Sequence, residues 1–319
     1  MRNADPLVSI VCITYQHAKY IRKTLEGFLA QRTSFPIEII VHDDASKDGT
    51  AAIVKEYAEA HPDLFVLILQ TENQYSKEKG RINKIAFNAA RGKYLALCEG
   101  DDHWVDPHKL QRQIDALETD PKAVACFTDA YNESNGLRVP FMGPYAKAPK
   151  GTTIDQHDLI VGQGIPTCTV VFRNLDLTRF HDLRRIAPVG DTLLYIHLAG
   201  QGQFIYQPER TSVRIMHGGG IHSLTSALHK LKVHLETLPF MDQLSDHKYS
   251  DLIAERRRKA LEQAWAEAIE KNNRELAKYV WPKIARERAK YGWNLTTTLR
   301  NFFKAYWPLP DRIYGRLVR

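Results

Sequence analysis

Paired carboxylates follow two of the apolar, strand-like stretches of this chain. Asp43-Asp44 ends one stretch, and Asp101-Asp102 comes just after another. In a parallel sheet both pairs would open toward the same edge, where carboxylates repel one another unless a positive or hydrogen-bond-donating group lies between them. Asp101-Asp102 therefore has the chemistry of an oxygen-ligand site for Mg²⁺ or Mn²⁺, which bind carboxylates together with phosphate oxygens. Asp44 would be free to accept a hydrogen bond from a base N–H or a sugar hydroxyl.

The same acids have a second, purely structural interpretation, because acidic residues after strands often form turns or cap helices. It suits Asp43, whose carboxylate could tie the following loop to the next helix. It suits Asp102 less well, since acids at such short spacing stabilise a turn poorly without a cation. Glu99, the first acid of this segment, could serve only to shape the turn.

Alternating strand and helix patterns position these carboxylates. The β-branched run 8–14 is typical of a strand covered on both faces, and 18–31 follows with helical spacing. Further elements are expected, in chain order, at strand 37–42, helix 50–60, strand 64–70, helix 82–90, strand 94–98, helix 109–118, strand 123–129, loop 131–151, strand 168–173, helix 191–199 and strands 203–206 and 212–215. This alternation predicts β-α-β units in a doubly wound, mostly parallel sheet, which binds ligands at the carboxyl ends of its strands.

The chain after about residue 220 has a helical pattern throughout. Leucines fall on one stripe of a helix over 224–238, and a second helix is expected over 252–281, with Pro282 kinking or ending it. The last 30 residues hold a shorter amphipathic pattern. The sequence therefore predicts a sheet domain followed by a helical extension.

Composition is that of a soluble globular protein, with 319 residues, 44% hydrophobic and 25% charged. Met1 to Pro6 is short and polar, and no apolar run approaches the roughly 18 residues needed to span a bilayer, so we expect a cytoplasmic protein. Four cysteines lie in apolar runs without the spacing of a metal site, and we expect them to be reduced core residues; they are Cys12, Cys98, Cys126 and Cys168.

Four segments of the chain resemble, in this order, successive motifs of family 2 glycosyltransferases of the GT-A fold: VSIVCITYQHAKYIRKTLEGFLAQ, IEIIVHDDASKDGT, ARGKYLALCEGDDHWVDPHKLQRQ and GDTLLYIHLAGQG. The resemblance covers about residues 6–222, and the second and third segments together carry most of its specificity. It implies an α/β protein with a GT-A fold, that is, a Rossmann-like, doubly wound, mostly parallel sheet followed by a C-terminal helical region. The nucleotide-sugar-binding and catalytic domain would be residues 1–222, and 223–319 a helical extension with a basic amphipathic tail.

The resemblance implies that a sugar nucleotide, commonly a UDP-sugar, binds across the first four strands. Thr14 and Tyr15 would lie along the nucleoside, and Asp44 would accept a hydrogen bond from the uracil imide. Asp101 would face the ribose or the metal, and Asp102 would ligate the Mn²⁺ or Mg²⁺ ion that bridges the diphosphate.

The remaining site residues also come from the resemblance. Trp104 would contribute to cofactor binding, and His217 matches a segment that closes over the diphosphate, as a metal ligand or phosphate contact. Asp191 would be the catalytic base, although an Asp at this position is also an ordinary helix N-cap. Gly190 stands where the family often has a Glu.

The implied activity is that of an inverting, metal-dependent glycosyltransferase of the bacterial surface-glycan type, which moves one sugar to a hydroxyl of a glycan or lipid-linked acceptor. No Q-x-x-R-W motif follows Asp191, so the processive polysaccharide synthases are a poor match. Two alternatives stay open: a membrane-associated, non-catalytic binding protein, and a Mg²⁺-dependent nucleotidyltransferase. The latter would be expected to carry a Gly-rich phosphate loop where this chain reads TYQHAKY.

Residues 283–319 hold nine Lys and Arg against two acidic residues, which accounts for the whole net charge of +7. Cations interleaved with aromatic residues suit an anionic membrane surface, where each basic residue contributes about 1 kcal/mol. We therefore predict peripheral association with the inner face of the plasma membrane; the alternative is that this tail packs on the catalytic domain. Nucleic acid is not an expected partner, because no recognition motif is present and the predicted cleft is acidic.

Overall fold

The computed structural model describes residues 5–162, 164–217 and 226–289. The chain divides into two units, one formed by Met1–Gly220 with Leu244–Asp246 and the other by Ile221–Gln243 with His247–Arg319. The expectations for the amphipathic pattern after residue 290 and for the start of the leucine stripe concern residues outside the described ranges.

The first unit is built on one mixed sheet. Within the described residues its strands are β1 (Val8–Thr14), β2 (Ile37–Asp43), β3 (Phe65–Leu69), β4 (Tyr94–Leu97), β5 (His103–Trp104), β6 (Ala123–Ser134), β7 (Leu137–Pro140), β8 (Thr153–Ile154), β9 (Val171–Arg173) and β10 (Gln203–Ile215). They run in the order β3-β2-β1-β4-β9-β6-β10-β5, with β7 paired to β6 and β8 to β10. The block from β3 to β4 is parallel, as is the β6–β10 pair, while β9, β5, β7 and β8 are antiparallel. The predicted α/β fold with a mostly parallel central sheet is confirmed, with the antiparallel strands joined to that parallel framework.

Helices connect the parallel strands. In this unit they are α1 (Ile21–Leu29), α2 (Thr50–Ala60), α3 (Arg81–Asn88), α4 (Lys109–Thr119), α5 (Gln156–Val161), α6 (Thr178–Arg184) and α7 (Asp191–Ala199). The predicted bounds of α2 and α7 agree with the structure, whereas α5 and α6 are too short to give a clear periodic pattern.

The hydrophobic core lies beneath the carboxyl ends of the central strands. Ile10 and Ile39 are fully buried in the central strands, and Phe28 of α1 packs edge-on against Trp104 with ring centroids 4.7 Å apart. Gly27 permits this packing, because a Cβ there would lie 2.8 Å from the carbonyl oxygen of Trp104. Helix α1 is thereby fixed against the segment that carries the second carboxylate pair.

Two sequence expectations are wrong in this unit. Residues 131–140 do not form part of a loop, because β6 continues to Ser134 and returns as β7 through Asn135 and Gly136, both with positive φ. Such an Asn-Gly pair is a strong hairpin signal. The expected strands 203–206 and 212–215 are one strand, β10, whose register shifts accommodate the polar residues between them.

The second unit is helical in its described part, with α8 (Ala227–Leu244), α9 (Ser250–Glu270) and α10 (Arg274–Ala289). The single helix expected over 252–281 is instead two, because Asn272 adopts a left-handed conformation between them. Pro282 does not end α10: buried neighbours such as Trp281 and Ile284 outweigh the roughly 3 kcal/mol cost of an internal proline. None of the helices within the described ranges combines the length and apolarity required to cross a bilayer.

Candidate active site

The carboxyl ends of β1, β2 and β4 share one edge of the sheet, because these strands are parallel neighbours. The turn after β4 lies directly against the end of β1, where the backbone N–H of Gly100 donates to the carbonyl of Ile13 at 2.9 Å. A Cβ on Gly100 would lie 2.5 Å from Oγ1 of Thr14, so a side chain has no room here. This close approach brings the Asp101-Asp102 pair next to the loop that follows β1.

Thr14 and Tyr15 lie at the end of β1, on the edge where the nucleoside is expected. Thr14 is buried, and its hydroxyl has no hydrogen-bond partner in the described part of the chain. Tyr15 is 45% exposed. A buried hydroxyl with spare hydrogen-bonding capacity and an exposed aromatic ring can offer a polar and a stacking contact to a planar ligand.

Asp43 and Asp44 are adjacent but have different partners. Asp43 accepts hydrogen bonds from the backbone N–H of Ser46 at 3.0 Å and from its hydroxyl at 2.5 Å, so it shapes the turn. Asp44 is buried, and its carboxylate oxygens accept from the backbone N–H groups of Gln74 at 2.6 Å and Tyr75 at 3.1 Å. Each carboxylate oxygen can accept a second hydrogen bond, so Asp44 can hold this loop and still bind a donor from a ligand.

Asp101 lies between two imidazoles. Its Oδ2 is 3.0 Å from Nε2 of His217 and 3.7 Å from Nε2 of His17. The ring of Tyr20 stacks on His217 with centroids 4.9 Å apart, which fixes the orientation of that imidazole. Asp101, which the resemblance places at the ribose or the metal, and His217, which it places at the metal or the phosphate, are therefore brought together from distant parts of the chain.

Asp102 is the buried member of the pair, with 7% of its surface exposed. Its Oδ1 accepts from the backbone N–H of Ile215 at 2.9 Å, and its backbone carbonyl accepts from the hydroxyl of Thr24 at 2.6 Å. Burial, and then the neighbouring charge of Asp101, raise the pKa of Asp102 to about 7. A carboxylate in this setting gains strongly from a nearby cation.

Glu99 lies near Asp101, Asp102 and Asp191. Loss of hydration, followed by the charges of Asp102, Asp101 and Asp191, acts to raise the pKa of Glu99, and the exposure of this residue limits the effect. The charge of Arg214 opposes this shift. Asp191, far along the chain, thus lies close enough to interact electrostatically with the acid that opens the Glu-Gly-Asp-Asp turn.

Asp191 is the first residue of α7, and its side chain is exposed. One carboxylate oxygen accepts from the backbone N–H of Thr192 at 2.6 Å. The partial positive charge at a helix N-terminus stabilises an ionised carboxylate in this position. The other oxygen of Asp191 has no partner in the described residues and is available to a proton donor.

Trp104 occupies the core rather than the cleft. It is 3% exposed, and its indole N–H donates to the carbonyl of Cys168 at 2.8 Å. The amine of Lys109, itself fully buried, lies 4.4 Å from the centroid of the indole ring. In this structure Trp104 supports the carboxylate-bearing turn from behind and offers no free polar atom to a ligand.

The oxygen and nitrogen donors of Asp102, Asp101 and His217 fit a hard divalent cation such as Mg²⁺ or Mn²⁺. Asp102 is buried beside a second carboxylate, and a cation at this place would offset the repulsion between the two charges. Within the described residues, the group whose ligating atoms all lie within 4.8 Å of one another is a different one, Asp155 with His157 and Asp158. That group is exposed, and Asp155 and Asp158 are close because they form the reciprocal capping box of α5.

His17 is a site residue that the sequence patterns do not single out. Its ring lies against Asp101, its Nδ1 has no partner in the described residues, and burial lowers its pKa. Its one sequence signal is its position, three residues beyond the end of β1, and this is too weak to distinguish it from a loop residue.

Comparison with known proteins gives a consistent result. The sequence profile of glycosyl transferase family 2 matches residues 9–178. An uncharacterised protein of Mycobacterium tuberculosis is 37% identical over 217 residues, which are 67% of this chain and 60% of that protein. The E. coli protein described as UDP-Glc:alpha-D-GlcNAc-diphosphoundecaprenol beta-1,3-glucosyltransferase WfaP is 33% identical over 129 residues, 40% of this chain and 48% of its own. The chain thus spans less than two thirds of the length of these curated relatives.

Two solved structures resemble the fold. S. aureus TarS in complex with UDP-GlcNAc has a TM-score of 0.57 at 15% identity, covering 98% of this chain and 90% of that one. The mannosyltransferase PcManGT from Pyrobaculum calidifontis, in complex with GDP-Man and Mn²⁺, has a TM-score of 0.52 at 18% identity, covering 95% and 86%. At these identities the likeness concerns the fold, which is GT-A. Because the family profile matches more than half of the chain, this protein belongs to glycosyl transferase family 2.

Proposed function

We propose that this protein is an inverting, metal-dependent glycosyltransferase that moves one sugar from a nucleotide-sugar to a hydroxyl of a glycan or lipid-linked acceptor. One observation carries the proposal: Oδ2 of Asp101 lies 3.0 Å from Nε2 of His217, next to the buried Asp102, at the strand ends where a diphosphate and its metal would bind. Asp191, whose charge acts on Glu99 of the same turn, would be the base for the substrate bound there.

On the donor side, a UDP-sugar is the substrate that the site favours. Tyr15 is exposed for stacking, Thr14 has an unpaired hydroxyl within the described part of the chain, and Asp44 keeps a lone pair for an N–H of the base. The complex of TarS with UDP-GlcNAc supports this choice of nucleotide.

On the metal side, Asp102 would be the principal ligand of Mn²⁺ or Mg²⁺, with Asp101 and His217 beside it. A divalent cation bound there would neutralise charge on the departing nucleoside diphosphate. The Mn²⁺ complex of PcManGT supports a divalent metal in this fold.

Asp191 would act as the general base. Its exposed carboxylate, held at the start of α7, takes the proton from the acceptor hydroxyl while that oxygen attacks the anomeric carbon. Attack from the side opposite the diphosphate inverts the anomeric centre. Because the chain has no Q-x-x-R-W motif after Asp191, we propose transfer of a single sugar at each encounter.

We assign catalysis to residues 1–222 and propose that 223–319 form a helical extension. The E. coli relative WfaP is named for an acceptor on diphosphoundecaprenol, which supports a lipid-linked acceptor and a place in surface polysaccharide synthesis. An enzyme that uses such an acceptor works at a membrane, and the basic residues of 283–319 would bring this protein to the inner face of the plasma membrane from the cytoplasm.

The test is a screen of UDP-GlcNAc, UDP-glucose and GDP-mannose, in which binding and slow hydrolysis of the donor are measured with and without Mn²⁺. We expect one nucleotide-sugar to bind preferentially, and only when the metal is present. Binding that is equal without metal, or equal for all three donors, would contradict the proposal. A nucleotidyltransferase would instead release pyrophosphate when a nucleoside triphosphate is supplied, and a pyrophosphate assay on the same protein detects this.

A further inference from the structure

Arg184, the last residue of α6, lies between two glycines. A Cβ on Gly80 would lie 2.2 Å from its Cγ, and a Cβ on Gly190 would lie 2.7 Å from its Nε. Gly80 also has a φ of +79°, which few other residues adopt. Both glycines are therefore required for the Arg184 side chain to occupy this position.

The guanidinium of Arg184 is buried with few partners. The residue is 6% exposed, and one terminal N–H group donates to the carbonyl of Ala187 at 2.8 Å. Its Nε has no hydrogen-bond partner within the described residues. A guanidinium has five N–H donors, and leaving buried donors unpaired is costly. The loss of hydration lowers the pKa of Arg184, while Tyr75 and Asp191 favour its charged form.

The position of Arg184 connects the two ends of the proposed site. Tyr75, which interacts with Arg184, donates its backbone N–H to Asp44, the predicted contact to the base. Gly190, which packs on the guanidinium, directly precedes Asp191, the proposed catalytic base. The unpaired Nε–H of Arg184 thus lies between the nucleotide-binding loop and the start of α7.

We propose that Arg184 is a substrate-binding residue that recognises an oxyanion, either a phosphate oxygen of the donor or a carboxylate on the sugar bound next to Asp191. A guanidinium binds both groups through paired N–H donors, and the two sources share this chemistry. An anion in this place fills the donors that the protein leaves free and compensates the buried charge. The proposal rests on the proposed function, since it takes the cleft to be a nucleotide-sugar site.

A purely structural role for Arg184 would not require its charge or its N–H donors. If Arg184 only filled the space between Gly80 and Gly190, its aliphatic carbons would provide the packing, and its buried charge would destabilise the fold. Replacing a poorly compensated buried charge with an apolar side chain of similar length is often neutral or stabilising. The variant R184M therefore separates the two roles, because it keeps most of the volume and removes every donor.

The experiment measures the dissociation constants of UDP, UDP-GlcNAc and UDP-glucuronate by calorimetry in the presence of Mn²⁺. The proteins are the full-length wild type, R184M and a matched control, R185M. Arg185 is the next residue, is exposed, and pairs with Glu78 at 3.2 Å, so its replacement removes the same charge from the same helix end. Thermal unfolding without ligand is recorded for each protein, and R184Q replaces R184M if the latter does not fold.

For R184M we expect affinity to fall about tenfold to a hundredfold, while R185M stays near the wild type. An equal loss for all three ligands identifies a phosphate as the oxyanion, and a loss confined to UDP-glucuronate identifies a sugar carboxylate. Unchanged affinities in a folded R184M or R184Q protein would overturn the proposal, as would a loss for both sugar nucleotides that spares UDP. A wild type that binds none of the three would contradict the proposed function itself.

Discussion

Nε2 of His217 lies 3.0 Å from Oδ2 of Asp101, although the two residues are 116 positions apart. Asp101 follows β4, and His217 lies just beyond β10, so this contact joins the N-terminal parallel strands to the C-terminal half of the sheet. It also places an imidazole beside the carboxylate pair proposed to hold the metal. The contact brings the end of β10 beside the carboxylate pair, where the resemblance of the segment around His217 predicts it.

The first prediction concerns this contact. His217→Gln keeps a polar side chain but removes the imidazole, and we expect the Mn²⁺ concentration for half-maximal activity to rise about tenfold to a hundredfold. A Mn²⁺ titration of the initial rate measures this. His229→Gln, an exposed histidine on α8, is the control. A His217→Gln enzyme with the wild-type metal dependence would remove His217 from the proposed ligands.

The second prediction concerns the metal and Asp102. Addition of Mn²⁺ is expected to raise the unfolding temperature of the wild type, because a ligand that binds only the folded state stabilises it. Asp102→Asn should abolish this shift and lower kcat/KM at least about a hundredfold, in line with the several kcal/mol that a catalytic metal supplies.

Asp155→Asn is the matched control for Asp102, because it alters the exposed cluster of Asp155, His157 and Asp158 and preserves a good helix cap. It should retain both the thermal shift and the activity. If Asp155→Asn loses the shift and Asp102→Asn keeps it, the metal binds at the start of α5 and the account is wrong.

The parallel block of the fold could be predicted from the sequence because its strands are uniformly apolar and its helices have a clear period. The run Val8–Thr14 matches β1 and Thr50–Ala60 matches α2 at both ends. The hairpin through Asn135 and Gly136 does not follow from core burial, because its outward strand, Leu137–Pro140, is exposed along its whole length. Local propensity predicts that Pro282 ends or kinks a helix, but α10 continues through it because tertiary packing outweighs local propensity.

The carboxylates of the site could be identified from their place at strand ends, but their partners could not. The hydrogen bonds from Gln74 and Tyr75 to Asp44 depend on how the loop after β3 folds back. Arg184 gives no sequence signal at all, since its importance comes from Gly80 and Gly190, which the fold brings to its two sides. Such relationships arise only from the tertiary fold.

The third prediction concerns pH and stability. Burial, followed by the charges of Lys84 and His197, lowers the pKa of His181 from 6.5 to about 4. His181 is 8% exposed, and its Nδ1 has no partner in the described residues. The unfolded chain therefore binds a proton at His181 near pH 6.5, whereas the folded chain binds it only near pH 4. The contribution of neutral His181 to the free energy of unfolding is present above pH 6.5 and is lost as the pH falls toward 4.

Between about pH 7 and about pH 5 this single group should lower the free energy of unfolding by about 2 kcal/mol. Urea denaturation at the two pH values measures the change. His181→Phe, which suits the neighbouring rings of Phe87 and Phe180, should reduce the change by that amount. A pH dependence identical to that of the wild type would show that His181 does not carry it.

The fourth prediction concerns the basic tail. Residues 290–319 contain six Lys and Arg and one Asp, and each basic residue near an anionic surface contributes about 1 kcal/mol. The full chain should therefore co-sediment with vesicles that contain phosphatidylserine, much more than a chain ending at Ala289, the end of α10. Neutral phosphatidylcholine vesicles are the control, and added salt should weaken the binding. Equal partitioning of both chains would contradict the membrane proposal.

The fifth prediction tests the central claim, that Asp191 is the base in a cleft shared with the donor. In Asp191→Asn the side chain keeps its shape but cannot take a proton, so kcat should fall by about a factor of a hundred to ten thousand. The dissociation constant of the nucleotide-sugar in the presence of Mn²⁺ should change little. Asp176→Asn, at another exposed carboxylate that hydrogen-bonds the backbone near a helix start, should behave as the wild type.

The most direct measurement is therefore the pair of values, kcat and donor dissociation constant, for Asp191→Asn beside the wild type. The account predicts a large loss in kcat with donor affinity retained. An Asp191→Asn enzyme that turns over within about threefold of the wild type, well short of the loss expected for a general base, would contradict it.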